Sequence, residues 1–580
     1  MAGFMGILGS GRLDGIRGAL DAPCLLMGRH VFCAEDAAQD AQTASLLVGR
    51  LRNRDALRRQ LQHSGARLSD DCTNSELLLA AYRAWDETFY QHLEGPVCAV
   101  ILDAGLNRLI LSRDPMGEGR VFYTRTGDVI SFASRPEFLL RAPNFSPVIR
   151  REGLCELFAL GPARTPGLTP LEGLMELEPG CALICDSRSC RIHRYFRLEA
   201  RPHTDSPEKT VETVRELLEE IISPLRKLSP VCMLSGGLDS TLLTALLAPE
   251  GGAHSFSVDY ADNDRYFQGG SSFQGSEDAP WALQAAQTLH TRHEIVTLSQ
   301  TALAESVMDA GRARFFPGMA DVDSSLWLFA RTLSAHGRYV LSGECGDEVF
   351  GGYPWFHRDE LIHSDLFPWS GSLALRSSIL APALREKLDL AGYAQKRYDE
   401  CAAHLPKLIG EKPRDARLRF LQGLCFRYFM PNLQERAIRM CEASDVTVLT
   451  PYADERLAQY VYNVPWEIRN MGGMEKGLLR AAAAGILPDA LRNRKKSPYP
   501  KTYHPEFGRT MARMCMETLK KPDSPLAPLL DMEHVESLAG SALSPKDTPW
   551  FGQLMTLPQM LGYLMQTDDF LRRTRAQIDL

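Results

Sequence analysis

No stretch of this 580-residue chain is apolar for long enough to span a bilayer, which takes ~18 consecutive residues, so a membrane-spanning role is not expected. The opening Met-Ala-Gly-Phe-Met-Gly-Ile-Leu has neither a basic start nor a small-residue cleavage site, and secretion is not expected either. Positive charge is not in excess: 65 Lys and Arg stand against 72 Asp and Glu, a net charge of −7. That balance favours solubility and argues against a nucleic-acid-binding surface. Fourteen cysteines include no Cys-x-x-Cys pair. Cys181, Cys185 and Cys190 alone lie close together, and their spacing fits no common zinc site. Reduced thiols in a cytoplasmic protein are the expectation. The Gly-x-x-x-x-Gly-Lys-Ser/Thr pattern is missing, which excludes a Walker-type phosphate loop. Internal repeats and low-complexity tracts are missing as well.

The composition that remains, 44% hydrophobic and 24% charged, is that of a globular protein, and the length suggests two or three cores. Residues 1 to about 195 read as β-rich. Apolar segments such as Gly95–Leu102, Arg108–Ser112 and Val129–Ala133 are separated by turn residues at Asp103-Ala-Gly, Asp114-Pro-Met-Gly and Thr126-Gly-Asp. Arg201–Ser206 reads as a linker. Val211, Val214, Leu218 and Ile221 then recur at helical spacing. Strand-like runs at Ala253–Val258 and Tyr339–Ser342 alternate with helical patterns, the mark of a parallel sheet wrapped by helices. Beyond Gly352 the pattern is mostly helical, at Leu373–Leu388, Ala416–Tyr428, Asp454–Tyr462 and Lys476–Ala484.

Residues 231–240, Val-Cys-Met-Leu-Ser-Gly-Gly-Leu-Asp-Ser, carry the most chemistry. A short strand enters a Ser-Gly-Gly turn and leaves through Asp239 and Ser240 into an apolar helix. Such a layout offers backbone N–H groups and a helix N-terminus to an anion. Gly236 and Gly237 let the backbone approach closely, Ser235 and Ser240 add hydroxyl donors, and Asp239 can hold a magnesium ion shared with phosphates. The segment is similar to the pyrophosphate loop of ATP pyrophosphatases, which activate carboxyl groups by adenylation.

A second block, Leu341-Ser-Gly-Glu-Cys-Gly-Asp-Glu-Val-Phe-Gly-Gly-Tyr353, taken with the first, resembles the synthetase domain of glutamine-dependent asparagine synthetases. Gly473–Arg480 and Leu487–Lys495 extend the likeness along nearly the whole chain. The resemblance implies an α+β sandwich of the N-terminal-nucleophile amidohydrolase type over 1–195. An α/β ATP-pyrophosphatase domain would follow over 207–580, with a parallel sheet and a mostly helical C-terminal part. It implies ATP and Mg2+ as cofactors, with Leu234, Val258, Ser342 and Gly343 lining the adenosine pocket and Asp239 and Asp347 holding magnesium. Glu344 matches the general base that takes a proton from ammonia. Lys476 matches a lysine that stabilises charge at the phosphates and the reacting carbonyl.

The N-terminal third keeps the amidohydrolase framework at Leu93–Val97, Arg113–Gly117, Phe122-Tyr123 and Ser131–Ser134. It departs where that chemistry resides. The family's nucleophile is a cysteine exposed by removal of Met1, and here position 2 is Ala2. Cys24 and Cys33 lack a free amine and cannot replace it. The family's Asn-Gly-Glu falls at Val48-Gly49-Arg50, and its amine-binding aspartate at Asn74. In the synthetase half, charged positions are replaced at Ile438, Thr447 and Leu449, while Arg439, Pro451, Tyr452 and Asp454 stay in register.

The expectation is therefore an AMP-forming amide ligase that adenylates the side chain of L-aspartate, or another carboxylate, and passes it to ammonia, with the glutamine-hydrolysing half inactive. Two alternatives stand beside it: a macrolactam- or β-lactam-type synthetase using a peptide or internal amine, and a non-catalytic scaffold. Against the β-lactam version, such relatives tend to carry tyrosine where this chain has Glu344. No nucleic acid or membrane partner is expected, and a homodimer is left open.

Overall fold

The computed structural model describes residues 3–8, 24–27, 30–34, 36–267, 277–541 and 549–580. It divides into two compact units: 1–153 with 165–197 and 574–580, and 154–164 with 198–573. Among the described residues no helix is long and apolar enough to cross a membrane.

The first unit stacks two six-stranded antiparallel sheets. One runs Leu174–Glu176, Phe122–Thr126, Val129–Ala133, Met5–Leu8, His30–Cys33, Cys24–Met27 in spatial order. The other runs Cys190–Arg194, Cys181–Cys185, Arg108–Arg113, Val97–Asp103, Thr43–Gly49, Ala38–Gln39. Strand periodicity of two explains why Val97–Asp103 is buried along its whole length. Cys98, Val100 and Leu102 join the core between the sheets with Phe32, Leu111 and Phe132. Val97, Ala99 and Ile101 face the opposite way, onto Leu57 and Leu61 of the Arg54–His63 helix and Leu77 and Ala81 of the Asn74–Trp85 helix. A sandwich with helices on one face results, in agreement with the α+β architecture expected from sequence.

Arg113 and Asp114 lock this unit from inside. The Asp114 carboxylate accepts backbone N–H groups of Met116, Gly117, Glu118 and Gly119 at 2.7–3.1 Å. Arg113 donates to the carbonyls of Gly117, Gly119 and Leu177 at 2.6–2.9 Å and pairs with Glu176 at 3.0 Å. The pair Cys185 and Cys190 departs from expectation: directly opposed on neighbouring strands, the two are joined as a disulfide rather than left as thiols.

The second unit is built on a five-stranded, all-parallel sheet in the order Arg292–Leu298, His254–Tyr260, Val231–Met233, Tyr339–Leu341, Thr447–Leu449. The chain adds strands to one side of Val231–Met233 and then crosses to the other. The direction of winding therefore reverses between Val231–Met233 and Tyr339–Leu341, and a crevice opens at their carboxyl ends. Helices cover the sheet, among them Leu238–Leu247, Asp321–Leu333 and Met430–Glu442, and the C-terminal part is helical. Leu373–Leu388 is two helices, broken before Pro382, whose ring cannot continue a helix from the preceding turn. The linker at Arg201–Ser206 is strapped down at its start, where Arg201 N–H donates to Asn463 Oδ1 at 2.7 Å. The segment Leu154–Arg164, between parts of the first unit in sequence, packs in the second: Tyr563 Oη donates to the Leu157 carbonyl at 2.7 Å.

Candidate active site

Two loops meet in the crevice, one from each strand beside the reversal point. The first is Leu234–Gly237. Gly236 sits at φ +71°, and a Cβ there would lie 2.3 Å from the Trp281 carbonyl carbon, so both conformation and space demand glycine. Ser240 folds back under the turn: its Oγ accepts the Ser235 N–H at 3.2 Å and lies 3.1 Å from Ser235 Oγ. Gly237 caps the Leu238–Leu247 helix without a side-chain hydrogen bond, which leaves N–H groups of the first turn to face a ligand. Asp239 stands in that turn.

The second loop, Ser342–Asp347, presses directly on the first. A Cβ on Gly343 would lie 3.1 Å from Asp239 Cβ, and one on Gly346 3.0 Å from Asp239 Cγ. A Cβ on Gly352 would lie 2.0 Å from Asp347 Oδ1. These glycines hold the two carboxylates together at distances no side chain permits. Lys476 Nζ bridges them, in contact with Asp239 Oδ2 and 2.6 Å from Asp347 Oδ1, while Lys496 Nζ pairs with Asp347 Oδ2. Among the described residues, nothing donates a hydrogen bond to the buried Asp239 Oδ1. Burial raises the Asp347 carboxyl, but the two ammonium groups outweigh it and hold Asp347 well below the usual range. Asp239 is pushed up, by burial first and by Asp347 next, against Lys476. Lys476 is held fully charged: burial opposes, and both carboxylates override it.

Glu344 lies on the same loop. Its carboxylate accepts Arg436 Nη1 at 2.9 Å and its N–H donates to Ser342 Oγ at 3.3 Å. Burial raises its pKa, with the Arg436 guanidinium opposing. Arg436 is almost wholly buried, donates to the Val322 carbonyl at 2.9 Å and lies over the Tyr499 ring at 4.4 Å. Behind it Arg314 pairs with Asp323 and Glu435, and Arg164 also pairs with Glu435.

The structure thus gathers Ser235, Gly236, Gly237, Asp239, Ser240, Ser342, Gly343, Glu344, Asp347 and Lys476 into one crevice. Leu234 and Val258 stand apart. Leu234 packs with Ala285, Ala286 and Leu491, and Val258 belongs to the main core, leaving only 0% and 8% of their surface exposed. Sequence reasoning missed Lys496, Arg494 and Arg436. Arg494 donates to the Ser235 carbonyl at 2.9 Å, pairs with Asp278 and lies over Trp281. For Lys496 and Arg494 the signal was the basic run Arg492–Lys496, whose long-range partners no local pattern announces; Arg436 lies on the Met430–Glu442 helix, outside that run. One turn upstream of Ile438 and Arg439, Glu435 and Arg436 are buried and ion-paired, with Arg314 and Glu344. Ile438 is a core residue, and Leu449 is buried in an edge strand. Tyr452 does reach the site, donating to the Asp239 carbonyl at 3.2 Å.

In the first unit, Ala2 and the side chain of Cys24 lie outside the described residues. Gly49, at φ +109°, closes its strand, and Arg50 N–H donates to the Pro96 carbonyl at 3.0 Å. Asn74 opens a helix capped by Thr73 and Glu76, and its amide oxygen accepts Arg54 Nε at 3.1 Å.

The asparagine synthase family model matches residues 213–565, and a glutamine amidotransferase domain matches 37–196. Asparagine synthetase [glutamine-hydrolyzing] 3 of Bacillus subtilis is 39% identical over 539 residues, covering 92% of this chain and 87% of the relative. The chain belongs to the asparagine synthase family. More distant family relatives include asparagine synthetase [glutamine-hydrolyzing] 1 of the same organism, 25% identical over 78% of this chain and 74% of the relative. Amidase chry2 of Gibberella zeae is 23% identical over 85% and 82%. The chain is therefore an enzyme of the carbon–nitrogen ligase class, with an amidotransferase-like first unit.

The donor set suits ATP and Mg2+. Two adjoining carboxylates, one with an orphaned buried oxygen, match the one or two that magnesium takes alongside phosphate oxygens. The glycine turn and the cations of Lys476 and Lys496 suit a polyphosphate.

Proposed function

We propose that the second unit adenylates the β-carboxylate of L-aspartate with ATP, releases pyrophosphate, and passes the activated acyl group to ammonia, with AMP as the leaving group, to give L-asparagine. The observation that carries this reading is the meeting of the Ser235–Ser240 and Ser342–Asp347 loops around Asp239, Asp347 and Lys476. Ser235, Gly236, Gly237 and Ser240 would cradle the leaving pyrophosphate. Ser342 and Gly343, with the backbone at Leu234 and Val258, would border the adenosine. Asp239 and Asp347 would hold Mg2+, which when bound neutralises phosphate charge. Lys476 offsets the negative charge that builds at the reacting carbonyl and phosphate. Glu344, oriented by Arg436 and made a stronger base by burial, accepts a proton from the attacking ammonia.

The first unit serves as a shell without glutaminase chemistry. Ala2 supplies no nucleophile, and the Asn74 amide oxygen, where the family pairs the substrate amine with an aspartate, is engaged by Arg54. Ammonia would then be taken free or from another protein, and the enzyme would act in the cytoplasm.

ATP–pyrophosphate exchange across a panel of carboxylates, with and without ammonium, tests the reading. Aspartate-dependent exchange and ammonium-dependent asparagine formation are expected. Exchange only with a peptide carboxylate would move the assignment to macrolactam-type chemistry.

A further inference from the structure

At the amino ends of the parallel strands, on the sheet edge opposite the crevice, three metal-capable side chains converge that the ligase chemistry does not use. His254 begins its strand, Glu294 lies on the neighbouring Arg292–Leu298 strand, and His336 lies on the turn between the Asp321–Leu333 helix and Tyr339. His254 Nε2 is 2.9 Å from Glu294 Oε1, the two imidazoles are 4.9 Å apart at 88°, and one ligand atom from each residue falls within 4.8 Å of the others. Phe256, fully buried, forms the floor at 4.4 and 4.8 Å from the two rings. The turn is fixed where it brings His336 across: His336 N–H donates to the Leu333 carbonyl at 2.9 Å, and a Cβ on Gly337 would lie 3.0 Å from Val231 Cγ2. His293 takes no part, because its two nitrogens are engaged by Ser255 and Ser257.

We propose that His254, Glu294 and His336 bind a divalent transition-metal ion of the zinc class through two imidazole nitrogens and one carboxylate oxygen. Imidazole suits zinc, nickel and copper, whereas magnesium prefers oxygen ligands alone, so the site discriminates against the cation suited to Asp239 and Asp347. Three protein ligands and a water complete a four-coordinate zinc, whose bonds of about 2.0–2.1 Å set ligand atoms about 3.4 Å apart. Rotation of the exposed Glu294 and His336 side chains closes the remaining gap. The His254 strand advances about 20 Å from this edge to its far end at ~3.3 Å per residue, so an ion here does not reach the crevice loops. Its effect is to tie two strand ends to the turn before a third, raising stability by mass action.

The test uses the full chain, stripped with EDTA and titrated with Zn2+ in saturating Mg2+ by calorimetry, with Co2+ as a visible-absorption probe. One saturable Zn2+ site is expected, with a raised Tm. Affinity should fall at least tenfold in His254→Ala and in His336→Ala and fall less in Glu294→Gln, with the Mg2+-dependent pyrophosphate release of the parent retained. Absence of a saturable site, or Zn2+ affinity unchanged in both histidine variants, overturns the proposal. His336 and Glu294 are exposed, so their variants keep the test decisive if His254→Ala does not fold.

Discussion

Asp114 in the first unit and the pair Asp239 and Asp347 in the second all stand a few residues past the end of a strand, yet their surroundings differ in kind. Asp114 spends its carboxylate on four backbone N–H groups of its own turn. Its neighbour Arg113 is likewise committed to carbonyls and Glu176. Asp239 keeps a buried oxygen with no hydrogen bond among the described residues, and the other carboxylate contacts go to lysine side chains reaching in from distant segments. A buried charge consumed by its own backbone holds a fold together. A buried charge left partly open, with cations beside it, is arranged for something that arrives.

The sharpest way to break this comparison is to look for chemistry in the unit assigned none. Loss of a nucleophile in a comparable hydrolase costs on the order of 10⁶ in rate. Glutamate release from glutamine should therefore be undetectable, and glutamine should not replace ammonium in product formation. In the second unit, Glu344→Gln should lower ammonia-dependent product formation by about 10²–10⁴-fold while ATP–pyrophosphate exchange persists. A parallel loss of exchange would place Glu344 in the first step instead. Asp347→Ala and Lys476→Met should each lower exchange itself by about 10²–10³-fold, with unchanged far-ultraviolet circular dichroism. Asp114→Ala should do the reverse. Leaving several buried N–H donors unpaired costs about 3 kcal/mol of stability, read as a lower Tm, with exchange per folded molecule retained.

A smaller effect follows from pH. Burial pushes the Asp114 carboxyl up to about 6, against Arg113 and its N–H partners, whereas an unfolded aspartate titrates near 3.9, or about that value. The native state therefore holds the proton more tightly. The resulting contribution is full below about pH 3.9 and is lost as pH rises through 6. Replacing Asp114 with Asn removes this slope. The stability gap between parent and Asp114→Asn should be larger at pH 4 than at pH 7, by roughly 2–3 kcal/mol. Thermal unfolding at the two pH values measures it, and an equal gap at both would contradict the assignment.

The parts of the site legible in sequence are those set by local backbone needs. Gly236 requires a positive φ and an open approach, and Asp239 and Ser240 follow it within one helical turn, so a ten-residue window contains the whole loop. The strands were readable for a similar reason: the unbroken apolar run Val97–Leu102 is a local pattern, and the fold buries its two faces in two cores. Partners distant in sequence were not readable. Arg436 meets Glu344 across 92 residues and Lys496 meets Asp347 across 149, and no local spacing announces either pair. The edge strand Thr447–Leu449 was not read as a strand: unlike the equally short Val231–Met233 and Tyr339–Leu341, it does not run into a glycine-containing turn that marks its end. Glu435 and Arg436 were not singled out for the same reason: their partners Arg314 and Glu344 lie far away along the chain.

ATP–pyrophosphate exchange with L-aspartate in the presence of Mg2+ tests the central claim most directly. Exchange is expected to require aspartate, to be indifferent to glutamine and to collapse in Asp347→Ala. Purified protein that catalyses no exchange with any carboxylate offered would contradict it.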